Sequence, residues 1–295
     1  MNLKNLLGAE GIDVDKQRVL ALWHTPKEPK LRRALPRLAA EEPDVFNAFQ
    51  STQGATVERD LKRANYIASF IGQESGNALF VGVYEVGETR ALTADQFWRI
   101  PAFVDMRNKY DMQGFNPEED GRSSLLWFDL ALTSHCAPWK GKLIVKWPTP
   151  DIRWFRWVDR TEIAVFAILR ESELVPPMPT WDKLVLSWEE LSDLPRSWEE
   201  ALRQWRAIYY IFDISDSKGY VGSACGEHNL LGRWRNYRDS GHGDNRLLRD
   251  RAPENFRFTI LQTTSLGMQK DEINRLENNW KQRLHTRAPF GLNSN

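Results

Sequence analysis

Two apolar, aromatic runs near the end of the chain, Ala207–Ile214 and Gly219–Ser223, flank the turn-prone tetrad Ser215-Asp216-Ser217-Lys218. So short a connection turns the chain back antiparallel to itself, and the two runs form a β-hairpin. The periodicity then switches between helix and strand. A helix over Asn229–Asp239, a short helix near Asn245–Arg251, a strand over Phe256–Gln262 and a long helix over Lys270–Arg287 give the order ββααβα. The expected product is a small α/β domain, a three-stranded antiparallel sheet with flanking helices.

With 295 residues the chain is longer than one usual domain. Val175-Pro176-Pro177-Met178-Pro179 opens a connector, in which Trp188–Leu194 and Ser197–Gln204 have helical patterning. The division expected is 1–175, a linker over 176–203, and 204–295. The first part opens with a strand over Arg18–His24 and helices over Leu31–Glu41 and Asp44–Gln50, punctuated by Pro26, Pro29 and Pro43. From Asn65 to Leu169 the texture is β, with strands expected at Tyr66–Ile71, Ala78–Val86, Leu125–Leu132, Leu143–Trp147, Ile152–Val158 and Glu162–Leu169. The fold class expected is α+β, a mixed β-rich domain followed by the small α/β domain.

Composition excludes collagen-like and wholly disordered chains, since 41% of residues are hydrophobic and 27% charged. The net charge of zero names no partner. Residues 200–295 carry 15 Lys+Arg against 11 Asp+Glu, leaving 25 against 29 for the rest, so the C-terminal part is mildly basic. That suits phosphate contacts and equally a solvated helix face. Cys136 and Cys225 stand far apart with no spaced Cys/His set, which indicates neither a disulfide framework nor a zinc site. Met1-Asn2-Leu3-Lys4 begins no signal-peptide core, and runs such as Ile163–Leu169 are too short to span a bilayer, so a cytoplasmic protein without membrane partners is expected.

The C-terminal segment carries Ala207-Ile208-Tyr209 on one strand and Tyr220-Val221-Gly222 on the next, then Arg233 and Glu277 on helices and Phe290-Gly291-Leu292-Asn293 at the close. In order and completeness this resembles the GIY-YIG nuclease superfamily, whose paired tyrosine motifs, helical arginine and metal-binding glutamate follow one another in this way. Ala207 replaces the usual glycine, Val221 the usual isoleucine, and Tyr237 stands where many members have histidine. Helix geometry adds independent support. Ile273, Leu276, Trp280 and Leu284 form one stripe, and Glu277 falls on its edge, where a carboxylate needs a cation, hydrogen bonds or a metal. Arg233 and Tyr237, four residues apart, share a face beside Leu230 and Trp234. Gly232, inside the same helix, suggests close approach by another backbone.

The resemblance implies hydrolysis of DNA phosphodiesters with Mg²⁺ or Mn²⁺ held by Glu277. Arg233 would clamp the phosphate. Tyr209, with Tyr220 across the hairpin, would help deprotonate the attacking water, although a phenol with a pKa of about 10 is a poor base unless a cation lowers it. Whether Tyr209, Tyr237 or both form the base stays open. Lys218 is a further proton-transfer candidate, Gly222 and Asn293 support the site, and cutting both strands calls for a homodimer or two successive nicks.

Ten of the 13 tryptophans fall between Trp98 and Trp205. Along Asp151–Asp159, strict alternation sends Trp154 and Arg156 to one face and Arg153, Phe155 and Trp157 to the other. Phe70-Ile71-Gly72 through Val81-Gly82-Val83-Tyr84, with these strands, resembles PUA-like barrels of the EVE and ASCH kind, which include readers of modified cytosine. That implies a barrel in which aromatic rings stack on a flipped base, with Tyr66, Trp139, Trp154 and Trp157 as pocket candidates. The combined reading is a modification-dependent restriction endonuclease acting on duplex DNA. A repair or mobile-element nuclease reading unmodified DNA, a non-catalytic nucleic-acid-binding protein and an RNA-modification reader are the alternatives.

Overall fold

The structure, a computed structural model, describes residues 1–149, 153–226 and 228–294. The chain forms two compact units, Met1–Pro176 and Pro177–Asn295.

The first unit runs α1 (Leu3–Ala9), β1 (Val19–His24), α2 (Pro29–Glu41), α3 (Pro43–Gln50), α4 (Ala55–Leu61), β2 (Tyr66–Gly72), β3 (Asn77–Thr93), α5 (Ala94–Phe97), α6 (Pro101–Tyr110), α7 (Pro117–Asp120), β4 (Ser124–Leu132), β5 (Leu143–Lys146), β6 (Phe155–Trp157) and β7 (Val165–Ile168). The sheet order is β6-β1-β2-β3-β5-β7, with β4 also on β3. β1 and β2 are parallel and the other pairs antiparallel, giving a curled mixed sheet. Both faces are covered, so β1 is buried at all six positions instead of alternating. One face packs Leu35, Phe46, Leu61 and Phe103 from the helices, and the other packs Leu3 and Leu7 of α1 with Phe70, Phe80 and Trp147.

The sheet curls without closing into a barrel, since β6 and β7 end it. The chain's own start lies against β7: the Leu3 amide donates to the Ile163 carbonyl at 2.9 Å, and Asn2 bridges Ala164. β3 runs on past the expected end at Val86, because a bulge between Val86 and Thr89 lets its polar second half pair with β4. Helices α5–α7 interrupt a region of β texture. Thr93 and Gln96 make a capping box, and Pro101 and Pro117 sit at helix starts where a missing N–H costs nothing. The strand expected from Ile152 begins at Phe155, and Ile152 lies outside the described residues.

The second unit runs β8 (Val185–Ser187), α8 (Trp188–Ser192), α9 (Arg196–Gln204), β9 (Arg206–Asp213), β10 (Lys218–Ala224), α10 (Asn229–Ser240), β11 (Phe256–Thr264) and α11 (Lys270–Arg283). The hairpin forms with Tyr209 opposite Gly222. The sheet has four strands, not three, in the order β10-β9-β11-β8. β8 comes from the segment read as a linker; at three residues it is too short to show alternation, yet Leu186 is 2% exposed and pairs with Phe258. The helix expected near Asn245–Arg251 is a single 3₁₀ turn, Arg246–Leu248. α11 ends at Arg283, which leaves Leu284 38% exposed and off the packed stripe. α10 packs Leu230, Trp234 and Tyr237 with Tyr209 and Phe258 on one face of the sheet, whereas Ile273, Leu276 and Trp280 of α11 pack with Ile208 and Val221 on the other.

Candidate functional site

On the α10 face three polar side chains meet inside an apolar core. Arg233 Nε donates to the Tyr209 hydroxyl at 3.0 Å and Nη2 donates to the Tyr237 hydroxyl at 3.2 Å. The two hydroxyls lie 3.0 Å apart, and the guanidinium also sits 4.9 Å from the Tyr237 ring centre. Both tyrosines are fully buried. Two phenols own two protons; one fills the bond between them, and the other is left for a further acceptor. Among the described residues no carboxylate forms an ion pair with Arg233. A partly buried cation thus has phenols for partners in place of a counter-ion, an arrangement that attracts an anion.

Burial pushes the Tyr209 hydroxyl well above its ordinary pKa and outweighs the opposing effect of Arg233. Tyr237 is raised too, again chiefly by burial. At neutral pH both keep their protons. Across the hairpin Tyr209 lies beside Tyr220, with ring centres 6.4 Å apart, and the hydrogen-bond partner of its hydroxyl is Tyr237. Tyr220 is only partly buried, so water can reach it. Lys218 shares its side of β10 by alternation.

Two glycines shape this pocket. A Cβ on Gly222 would strike the hydroxyl end of Tyr209, so only glycine lets that ring cross the strand. Gly243, at φ +53°, lies against the Tyr237 ring, where a Cβ would come 2.5 Å from Cε1. Gly232 serves a nearer neighbour than expected: its missing Cβ makes room for His228, at 2.6 Å, and not for another backbone.

Glu277 lies against the opposite face, on α11. Ser223 Oγ donates to its Oε2 at 2.5 Å, and Lys281 Nζ lies 2.8 Å from Oε1. The Lys281 side chain is 5% exposed and that of Glu277 18%. Sequence reasoning missed both partners, although Lys281 follows Glu277 by the four residues that place side chains together on a helix. The two half-sites meet at the edge strand β10, where the tyrosines cover Gly222 and the carboxylate holds its neighbour Ser223. Asn293, 2% exposed, bonds both the amide and the carbonyl of Val221, at 3.0 and 2.8 Å. Those groups point away from β9, so by ladder alternation the Ser223 amide does as well. Asn293 therefore fixes the strand without facing the pocket.

Glu277 and Ser223 offer a carboxylate and a hydroxyl, hard oxygen donors of the kind Mg²⁺ or Mn²⁺ prefers. Among the described residues no cluster of three or more His, Cys, Asp or Glu could complete a cage. Any such ion would take its remaining ligands from outside that set.

In the first unit the four pocket candidates do not converge. Tyr66 and Trp139 pack against the α1 side of the sheet, and Tyr66 meets His135 edge-on. Trp157 packs against the other side beneath Arg18, 4.2 Å from its ring. Trp154, 41% exposed, lines a cleft of about 410 Å³ shared with Phe49, Phe97, Phe103, Phe115 and His24. Of these, Phe49, Phe97 and Phe103 come from helices and Phe115 from a loop, while His24 ends β1.

No family model, no curated protein and no solved structure matches the chain.

Proposed function

We propose that the chain is a metal-dependent endonuclease of the GIY-YIG type, acting on DNA selected by a PUA-like first unit. The observation that carries this reading is Arg233, enclosed by two protonated phenols and free of a carboxylate counter-ion among the described residues. A phosphodiester supplies the missing negative charge. Arg233 would grip a non-bridging oxygen, the spare phenol proton of the Tyr209–Tyr237 pair would donate to the same phosphate, and Tyr220 would orient the attacking water. Glu277 with Ser223 would hold Mg²⁺ or Mn²⁺, which when bound supplies positive charge to the phosphate and the departing oxygen. The Ser223 amide adds a donor at the same strand edge.

For target selection, the aromatic cleft beside Trp154 has the flat, apolar walls that a base turned out of a duplex needs, and we place the preference for modified cytosine there. One observation favours a second reading, a non-catalytic DNA-binding protein, because Lys281 already neutralises Glu277.

A single experiment separates the two. Plasmid and short duplexes carrying cytosine, 5-methylcytosine or 5-hydroxymethylcytosine are incubated with the full chain and Mg²⁺ or Mn²⁺. The nuclease reading expects cleavage that EDTA stops, a preference for a modified duplex, and loss of cutting by at least about a hundredfold in Arg233→Gln. Binding without cutting under every metal condition would sink the catalytic reading, and equal cutting of all three substrates would sink the modification preference.

A further inference from the structure

A second cleft, of about 590 Å³, opens between the end of α4 and the strand β6. Among the described residues its walls carry five arginines, Arg59, Arg63, Arg153, Arg156 and Arg160, against one acidic residue, Asp60. In a chain whose net charge is zero, that is a strong local concentration of one sign. Arg59 lies in α4 and Arg63 two residues past its end. Both are exposed. Arg156 is held nearly buried by hydrogen bonds to the carbonyls of Phe155 and Pro148, at 3.2 and 3.1 Å. Arg160 has Asp159 at 3.4 Å. Among the described residues no ion pair forms at Arg59, Arg63 or Arg153.

A second observation comes from Trp154. It lines this cleft and the aromatic cleft alike, so one exposed ring stands where a cationic surface and an apolar, ring-lined hollow meet. Few ligands need both surfaces on either side of one flat wall. A nucleotide strand does, because its charged backbone and its bases diverge wherever a base leaves the stack.

We propose that the arginine cleft is the track for the sugar-phosphate backbone of the DNA strand being read, and that Trp154 marks the point where the selected base leaves that backbone for the aromatic cleft. This rests on the reading of the first unit as a base-selecting module. Arg59 and Arg63 contact phosphates flanking the selected nucleotide and carry no information on base identity. Trp154 stacks on the base and does.

The test is equilibrium binding of the full chain in EDTA, which prevents cutting, to a fluorescent duplex with one modified cytosine and to its unmodified twin, across a series of KCl concentrations. Replacing Arg59 and Arg63 together by glutamine is expected to weaken binding about tenfold or more near physiological salt. It should lower the slope of log affinity against log salt by about two, about one for each lost phosphate contact, equally for both duplexes. Trp154→Ala is expected to leave the slope alone and collapse the preference for the modified duplex. Glutamine variants that bind within twofold of the parent with an unchanged slope overturn the track, as does tighter binding of a matched RNA. If the parent shows no preference between the duplexes while the arginine variants still lose the slope, the base-selection reading fails and the backbone track survives as a plain DNA-binding surface.

Discussion

At the residue scale, the Glu277–Lys281 pair changes how the metal assignment can be tested. Lys281 is almost fully buried beside the carboxylate, so Glu277→Ala removes a charged partner from an ammonium in the protein interior. Breaking a buried pair from one side costs several kcal/mol, while replacing both members with neutral groups of similar volume is far milder. With Glu277 partly open to water, the expected loss for Glu277→Ala is about 2 kcal/mol in urea unfolding, with most of it recovered in Glu277→Gln/Lys281→Met. Loss of cutting in the stable double variant then reports on chemistry and not on folding. Equal stability of Glu277→Ala and the parent would show that the pair contributes nothing. The i, i+4 relations of Arg233 with Tyr237 and of Glu277 with Lys281 were open to reading from the sequence, because helix geometry alone fixes them. The Tyr209–Tyr237 bond was not, because it depends on how α10 lies over the hairpin.

At the element scale, the hairpin, α10, β11 and α11 follow from local signals: a polar turn between apolar runs and unbroken helical stripes. The stretch from Val185 to Gln204 shows why the rest was harder. Prolines precede and interrupt it and its elements are only three to nine residues long, so it has the texture of a connector. Yet Leu186, Leu191 and Leu202 are buried at 2%, 2% and 0% exposure in the same core as Tyr209 and Trp234. Ser187 caps α8 with Glu190 in a capping box, and Glu199 of α9 pairs with Arg235 of α10. Three buried leucines at about 2 to 5 kcal/mol each are comparable with the whole stability of a small domain. A fragment spanning 177–295 is therefore expected to unfold cooperatively, and one spanning 204–295 to show little dispersion in its amide NMR spectrum and to aggregate. A well-dispersed spectrum from the shorter fragment would return β8, α8 and α9 to the status of a linker.

At the scale of the whole molecule, each unit encloses its own buried clusters, so unfolding has no reason to be a single transition. A buried histidine makes the two separable by pH. His24 is 5% exposed, stands edge-on to Phe46 and Phe49, and has Ser69 Oγ 3.2 Å from its Nε2. Desolvation pushes its pKa down from 6.5 to about 4, despite an opposing hydrogen bond with Gln50. An unfolded chain binds a proton at this residue below pH 6.5, whereas the folded unit resists until about pH 4. Stability from this source is complete above the higher value, falls as pH drops through that window, and declines no further below it, with a total of about 3 kcal/mol. In the second unit, hydrogen bonds from Ser215 and Arg251 overcome burial and hold the Asp213 carboxyl below its ordinary range, so its contribution is lost only at lower pH. Hydrogen exchange followed by mass spectrometry at pH 7 and pH 5, corrected for the intrinsic rate, should therefore show protection falling in β2 and β3 while β9 and β11 hold theirs. In His24→Gln the pH dependence in β2 and β3 should disappear. An undiminished loss of protection in that variant would mean that another group in the first unit takes up the proton.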